Sequence, residues 1–186
     1  MLPPGFTYLP GALSPEAAED AFQGIFAETP WEEHVFAMFG RTVPMPRRIA
    51  WVGEVAYAYS GITHPPRAWT PRLAELRARV EALSGVALNV VLLNLYRDGA
   101  DSMGWHSDDD YDTGGQPVIA SLSLGATRRF LLRHKRRKVT VAVDLEPGSL
   151  LVMGEGSQAE WRHRLPRVSG PVGVRINLTF RHMAGG

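Results

Sequence analysis

The sequence predicts a mainly β protein of the α+β class, in which two helices precede about eight short strands. Two observations carry this prediction. The segments that begin at residues 14 and 70 start with helix signals and repeat apolar residues at helical spacing. From Leu88 onward, short apolar runs alternate with turn residues instead. This order favours a double-stranded β-helix (jelly roll) with the N-terminal helices packed on one of its sheets.

Both predicted helices have clear N-terminal signals. Ser14-Pro15 and Thr70-Pro71 each place a capping side chain directly before a proline, which suits the first helical turn. Gly85 follows the last apolar position of the second helix and predicts its end. Residues 1–12 are rich in proline, and we expect them to form an extended N-terminal arm.

The region 88–181 is expected to form the jelly-roll core, and turn residues divide it into strands. Asp98-Gly99 and Arg133–Lys138 each predict a hairpin, and Pro147-Gly148 predicts a further turn. A separate strand is predicted over Ala50–Tyr59. The chain has no internal repeat and no linker-like stretch, so residues 1–186 are predicted to form a single domain.

Composition limits the class of protein. The 186 residues are 45% hydrophobic, which is enough for one domain with a sizeable core. Apolar runs are too short for a membrane span, and the N-terminus lacks a signal-peptide pattern, so we expect a cytoplasmic protein without membrane contact. The absence of cysteine excludes disulfides and thiolate metal sites and fits a reducing compartment. The formal net charge of +1 gives no strong nucleic-acid signal.

The segment Gly104–Asp110 holds the strongest chemical signal in the chain. His106 and Asp108 lie two positions apart after a strand-like run, so both side chains can point to the same side. His163 lies in a later strand-like segment and supplies a second imidazole. Two imidazoles and one carboxylate form the facial triad that binds non-haem Fe(II). The other histidines lack metal-ligand spacing and are predicted to be surface or structural residues; they are His34, His64, His134 and His182.

The segment 175–181 alternates polar and apolar residues with a period of two, as a half-buried strand does. Two arginines on one strand face are costly unless they meet water or a bound anion. A dicarboxylate held beside the metal would meet this requirement. The earlier segment 93–96 repeats the alternation. The polar residues that share these two strand faces are Asn94, Tyr96, Arg175, Asn177, Thr179 and Arg181.

The order of these motifs resembles that of the AlkB family of Fe(II)/2-oxoglutarate dioxygenases, and closely that of the subgroup that repairs alkylated DNA. The similarity covers most of the chain from about Val43 onward, at the family's spacing. Five segments carry it: LNLYRDGAD (93–101), GWHSDDD (104–110), IASLSLGATRRFLLRH (119–134), GSLLVMGEGSQAEWRHRLP (148–166) and RINLTFR (175–181). Chance agreement of five segments in register is very improbable.

The resemblance implies an enzyme with Fe(II), 2-oxoglutarate and O2 as cofactors. Such enzymes hydroxylate the N-alkyl group of bases such as 1-methyladenine and 3-methylcytosine, releasing formaldehyde and succinate. By the resemblance, the catalytic metal ligands are His106, Asp108 and His163. Arg175 and Tyr96 would bind the far carboxylate of 2-oxoglutarate, and Asn94 and Arg181 the end nearer the metal. Asn177 and Thr179, on the same face, are further candidates.

On the substrate side, residues 34–61 are expected to form the nucleotide-recognition region. Phe39-Gly40 matches a finger that probes the base stack in duplex-repairing members, although Met38 and Phe39 also suit a core strand. Tyr57 and Tyr59 would stack on the base, and Asp109 and Asp110 suit a cationic one. The simpler alternatives are core tyrosines and solvated acids. Arg47, Arg48 and the basic run 133–138 are predicted to contact phosphates, although a basic hairpin tip is often only a solvated turn.

Two other hypotheses stay open at this stage. A dioxygenase of the same fold that acts on a protein or a small molecule would form succinate without releasing formaldehyde from methylated oligonucleotides. A non-catalytic jelly-roll module with a bound metal is disfavoured, because it has no need of two arginines beside the metal. We expect a monomer, and the sequence leaves open the choice between DNA and RNA and between single and double strands.

Overall fold

The computed structural model describes the backbone of residues 1–38, 41–59, 62–108 and 118–184, with side chains at all of these positions except 36–38, 41, 57–59 and 62. Within these ranges there are three helices, namely α1 (Pro15–Glu28), α2 (Pro71–Ser84) and α3 (Ser157–Glu160). The strands are β1 (Phe6–Leu9), β2 (Val35–Met38), β3 (Arg41–Pro44), β4 (Arg48–Gly53), β5 (Tyr57–Tyr59), β6 (Ile62–His64), β7 (Val90–Tyr96), β8 (Met103–His106), β9 (Ile119–Gly125), β10 (Arg128–His134), β11 (Thr140–Leu145), β12 (Leu150–Met153), β13 (Trp161–Leu165) and β14 (Arg175–Arg181).

The two long helices begin where their capping residues predict. Ser14 Oγ accepts a hydrogen bond from the Ala17 amide at 3.2 Å, and Thr70 Oγ1 accepts one from Leu73 at 3.3 Å. Gly85 ends α2 in the left-handed conformation, with φ at 75°. The apolar faces of both helices and the apolar face of β14 belong to one buried cluster, which includes Ala18, Ala21, Ile25, Leu73, Leu76, Val80, Ile176, Leu178 and Phe180.

The strands form two main antiparallel sheets, which confirms the jelly-roll prediction. The larger has the order β1-β12-β9-β14-β7-β4, and the smaller has the order β11-β10-β13-β8. The eight strands predicted from Leu88 onward correspond to β7–β14. The hairpin predicted at Asp98-Gly99 was wrong, because β7 and β8 lie in different sheets and the chain crosses between them.

The strand β14 lies at the centre of the larger sheet and pairs with both β9 and β7. All seven of its residues are buried. Ile176, Leu178 and Phe180 face the helices, so the alternating polar residues face the smaller sheet. Both faces of β14 are buried, and one face carries four polar side chains. These side chains therefore lie in the space between the two sheets. That space holds the functional residues described below.

The N-terminal half adds structure to the edges of the larger sheet. Residues 6–9 of the predicted extended arm form β1, which pairs with β12 at one edge. At the other edge β4 pairs with β7, and two short hairpins, β2–β3 and β5–β6, lie beyond it. The strand predicted over Ala50–Tyr59 is divided, since β4 ends at Gly53 and β5 begins at Tyr57. None of the helices in the described part of the chain has the length and apolar character that a membrane crossing requires.

Candidate metal centre

The structure brings the three predicted metal ligands together. His106 at the end of β8 is the direct cross-strand partner of His163 on β13, and their Nε2 atoms are 3.0 Å apart. Asp108 follows β8 by two residues. Its carboxylate oxygens lie 3.7 Å from His106 Nε2 and 3.9 Å from His163 Nε2. The pairing of β8 with β13 therefore brings together donor atoms from residues that are far apart in the chain, and the three atoms lie around one point.

The donor set fits a metal ion. Donors that bind one ion at about 2.1 Å and at right angles to one another lie about 3.0 Å apart, which is the separation of the two imidazole nitrogens. His106 Nδ1 lies 2.9 Å from the carbonyl oxygen of Gly104. Because a carbonyl only accepts, Nδ1 carries the proton and Nε2 presents its lone pair to the shared point. Two imidazoles and a carboxylate on one side of an ion suit Fe(II).

The third ligand is held in its ionised form. Burial by itself would raise the pKa of Asp108, but the charges of Arg181, His163 and His106 outweigh burial and lower the pKa to about 2. Arg181 Nη2 donates to Asp108 Oδ2 at 2.8 Å. Gln158 Oε1 accepts from the Asp108 amide at 2.9 Å and fixes the backbone. Arg181, predicted to bind the cosubstrate, therefore also orients a metal ligand, a role that the sequence pattern did not reveal.

The polar face of β14 that carries Arg181 also carries a second buried guanidinium. Arg175 is only 2% exposed, and its Nη2 donates to Ser123 Oγ at 2.9 Å. Its Nε has no hydrogen-bond partner among the described residues. Burial lowers the pKa of Arg175 to about 10, and Tyr96 opposes that effect. A buried cation with an unsatisfied donor is costly, and a carboxylate of 2-oxoglutarate would satisfy it.

Tyr96 lies between two arginines. It is the cross-strand partner of Arg175, whose guanidinium is 5.3 Å from the ring centroid. The guanidinium of Arg128 lies 6.0 Å from the same ring. Arg128 donates to the carbonyls of Asp98, Asp101 and Pro166 at 2.7–3.0 Å, so it holds the loop between β7 and β8 in place. No sequence pattern singled out Arg128, because adjacent arginines in a strand look alike.

The remaining predicted cosubstrate residues form a hydrogen-bonded chain. Asn94 faces Asn177 across the β7–β14 ladder, and their amide groups are 3.5 Å apart. Thr179 Oγ1 donates to Asn177 Oδ1 at 2.8 Å. Asn177 Nδ2 donates in turn to Ser121 Oγ at 2.7 Å. All six predicted residues thus line the space between the sheets, and their roles toward 2-oxoglutarate stay predictions.

Arg47 extends this chain, which the sequence did not suggest. It is 5% exposed, and its Nε donates to Asn94 Oδ1 at 2.8 Å. The prediction that Arg47 contacts phosphate was therefore wrong. Arg48, the next residue, is half-exposed and pairs with Glu33 at 2.6 Å. No local signal distinguishes the two arginines, because the pairing of β4 with β7 decides which of them is buried.

The predicted substrate residues are not placed by this structure. Phe39, Gly40, Asp109 and Asp110 lie outside the described residues. The backbone of Tyr57 and Tyr59 belongs to β5, but their side chains are outside the described set as well. Their roles in base recognition stay predictions. The position of Asp109 and Asp110 directly after a metal ligand follows from the sequence alone.

The structure places three of the other histidines. His134 is buried against Trp161, with ring centroids 5.0 Å apart, which agrees with a structural role. His34 and His64, in contrast, lie beside Glu32 and form a second group of possible metal donors. Sequence spacing missed this group because His64 comes from a segment far along the chain from Glu32 and His34.

A jelly roll with two imidazoles, a carboxylate and an adjacent buried arginine defines a class of protein, the non-haem Fe(II) oxygenases. Comparison with known proteins agrees with this class. A sequence model of the 2OG-Fe(II) oxygenase superfamily matches residues 5–181. The solved structure of OsALKBH1 superimposes with a TM-score of 0.71 at 19% identity, over 98% of this chain and 100% of that one, which shows the shared fold.

Proteins with similar sequences identify the family within this class. Alpha-ketoglutarate-dependent dioxygenase alkB homolog 3 of Rattus norvegicus is 39% identical over 182 residues, which are 92% of this chain and 62% of the rat protein. DNA oxidative demethylase ALKBH2 of Homo sapiens is 36% identical over 177 residues, which are 88% of this chain and 68% of the human protein. The chain thus spans somewhat less than two thirds of the length of the rat relative. It belongs to the AlkB family of 2OG-Fe(II) oxygenases, whose cofactors are Fe(II), 2-oxoglutarate and O2.

Proposed function

We propose that the protein is an Fe(II)/2-oxoglutarate-dependent oxidative demethylase that removes N-alkyl groups from nucleic-acid bases, with DNA as the main substrate. One observation carries the proposal. The triad His106, Asp108 and His163 contacts Arg181 on the polar face of β14, and the same face carries the buried Arg175. The names of the relatives support it, since they include an alpha-ketoglutarate-dependent dioxygenase and a DNA oxidative demethylase.

The cofactors supply the oxidising power. When bound together, Fe(II), 2-oxoglutarate and O2 insert one oxygen atom into a C–H bond of the substrate and convert 2-oxoglutarate to succinate and CO2. An N-methyl group hydroxylated in this way loses formaldehyde and leaves the unmodified base. The chain must therefore hold the cosubstrate in one orientation, keep the metal ligands deprotonated and present the alkyl group.

The described residues suit the first two tasks. Arg175 and Tyr96 would bind the far carboxylate of 2-oxoglutarate. This carboxylate would accept a hydrogen bond from Arg175 Nε, which has no partner among the described residues. Asn94, held by Arg47, would hydrogen-bond the end nearer the metal. Arg181 keeps Asp108 ionised and aimed at the two histidines. Burial between the sheets excludes bulk water, so each of these interactions is stronger than on the surface.

The third task falls to residues outside the described set. 1-Methyladenine and 3-methylcytosine carry a positive charge, which Asp109 and Asp110 would attract beside the metal ligands. Tyr57 and Tyr59 would stack on a base turned out of the helix, and Phe39-Gly40 would probe the gap it leaves. A damaged, poorly paired base costs less to turn out than a normal one. These assignments rest on the resemblance to the AlkB family.

The test supplies Fe(II), 2-oxoglutarate, ascorbate and O2 to the purified protein with oligonucleotides that contain 1-methyladenine or 3-methylcytosine. Single-stranded DNA, duplex DNA and RNA are compared in parallel. We expect mass loss of one methyl group from DNA, with equal amounts of formaldehyde and succinate. Succinate formed only with a protein or small-molecule substrate would replace the proposal with another dioxygenase activity. Metal binding without any succinate would indicate a non-catalytic module.

We further propose that the protein is monomeric and acts in the cytoplasm. The described residues expose four large hydrophobic side chains on four separate segments (Met1, Phe26, Val35 and Val139), which is not the pattern of a large interface. The absence of cysteine suits a reducing compartment. Light scattering during size-exclusion chromatography tests the first point: a mass near 20.5 kDa is expected, and twice that mass contradicts it.

A further inference from the structure

A second cluster of two histidines and a carboxylate lies away from the triad. Glu32 Oε2 is 3.1 Å from His34 Nε2 and 3.4 Å from His64 Nδ1. All three donor atoms lie within 4.8 Å of one another. The two imidazole rings meet edge to face, with centroids 5.1 Å apart and an interplanar angle of 74°. The arrangement directs two nitrogens and one oxygen at a common point.

Two parts of the chain build this cluster, namely residues 32–34 and His64. Glu32 is fixed to the edge strand β4 by two backbone hydrogen bonds with Ile49, of 2.8 and 3.0 Å. His34 directly precedes β2, and its carbonyl accepts from the Met45 amide at 2.8 Å. His64 ends β6. The cluster therefore joins the two hairpins β2–β3 and β5–β6 to the edge of the larger sheet.

Two of the three donor separations match those of a metal site. Donors that bind a tetrahedral ion at about 2.05 Å lie about 3.4 Å apart, close to the two carboxylate–imidazole separations. The other oxygen of Glu32, Oε1, accepts from Arg67 Nη2 at 3.2 Å. An outer partner of this kind orients a ligating carboxylate and leaves its second oxygen for the ion. His64 is buried, and burial lowers its pKa, which favours the neutral ring that a metal requires.

We propose that Glu32, His34 and His64 form a second binding site, for a divalent transition-metal ion of which Zn²⁺ is the best-suited member. Two imidazoles and a carboxylate are common zinc ligands, and a water molecule completes the tetrahedron. The bound ion ties both hairpins to β4.

The experiment measures zinc stoichiometry. Protein stripped with chelator is reloaded with Zn²⁺, freed of excess metal by gel filtration, and assayed by elemental mass spectrometry. The wild-type chain is expected to hold two equivalents, one in each cluster. The His64→Gln variant and the double variant His106→Ala/Asp108→Ala are each expected to hold one. Their combination is expected to hold none, and His134→Gln, a buried histidine in neither cluster, is expected to hold two.

The result that overturns the proposal is equally specific. If the wild-type chain holds one equivalent and His106→Ala/Asp108→Ala holds none, the second cluster is only a hydrogen-bonded network in which Glu32 accepts from both imidazoles. Binding of Co²⁺ to the double variant gives a check that does not depend on a second-cluster substitution. A tetrahedral visible spectrum is expected there, and an octahedral or absent one contradicts the proposal. Neither readout depends on catalytic turnover.

Discussion

The two histidine–carboxylate clusters present the same donor types in different surroundings. His106, Asp108 and His163 lie between the two sheets, while Glu32, His34 and His64 lie at the edge of one sheet, beside two short hairpins. The arginine that contacts Asp108 is 3% exposed, whereas the one that contacts Glu32 is 40% exposed. Burial makes the first arginine part of a low-dielectric pocket for anions. The second arginine, Arg67, is partly exposed to solvent.

Rigidity separates the clusters as well. His106 and His163 are direct cross-strand partners in a four-stranded sheet, so their nitrogens converge before any ion binds. His64 ends one two-stranded hairpin and His34 directly precedes another, and such hairpins are marginally stable by themselves. An ion at the second cluster would therefore add order, whereas an ion at the first finds its ligands already in place. The same donor types thus form a preorganised site in one setting and a site that an ion would order in the other.

The largest effect is expected from His163→Ala. Loss of one of three ligands to the catalytic metal should lower succinate formation by more than about 1,000-fold, because no described residue replaces the missing nitrogen. Succinate is measured by mass spectrometry under saturating 2-oxoglutarate. His134→Ala serves as the matched histidine control and should keep wild-type turnover. Full activity of His163→Ala would show that His163 is not a ligand.

Arg175→Ala is expected to act on the cosubstrate instead of the metal. Loss of a buried charged hydrogen bond, worth about 2–3 kcal/mol, should raise the KM for 2-oxoglutarate about 100-fold and leave iron bound. Arg67→Ala removes the corresponding arginine beside the second cluster and should leave this KM unchanged. The KM of each variant is measured by titrating 2-oxoglutarate. An equal rise in KM for both variants would contradict the proposal that only the first cluster serves the cosubstrate.

Arg47→Met tests the buried arginine that the sequence did not single out. Without its hydrogen bond, Asn94 loses orientation, and the KM for 2-oxoglutarate should rise about five- to tenfold, as expected for one hydrogen bond of about 1 kcal/mol. Arg48→Met, at the neighbouring exposed position, is the matched control and should leave the KM unchanged. A higher KM for the oligonucleotide alone would instead assign Arg47 to substrate binding.

The smallest effect is expected from His64→Gln. If the second cluster orders the hairpins of the predicted recognition region, this variant should raise the KM for a methylated oligonucleotide about threefold, the size of a loss near 0.7 kcal/mol. The KM for 2-oxoglutarate should stay at its wild-type value. Added Zn²⁺ should lower the oligonucleotide KM of the stripped wild-type protein and not that of the variant. A shift in the cosubstrate KM would link the second cluster to the first.

Local signals predicted the helices and the central strand well. Ser14 and Thr70 cap their helices with their own side chains, and the alternation in 175–181 is read directly from neighbouring residues. His106 and Asp108 could be predicted as metal ligands for the same reason, because residues two positions apart in a strand point to the same face. The resemblance to a family then supplied the roles of His163 and Arg175, which no local pattern provides.

The wrong predictions all concern contacts between distant segments. Asp98-Gly99 has the residues of a hairpin turn, but the flanking strands pair with different partners. Arg47 and Arg48 are chemically identical neighbours, and only the pairing of β4 with β7 buries the first.

The sequence alone therefore determined the starts of both long helices, the end of α2, the mainly β class and the first two metal ligands, because these follow from residues a few positions apart. Only the tertiary structure decided which arginines are buried and that Glu32, His34 and His64 meet, because strand pairing between distant segments sets those distances.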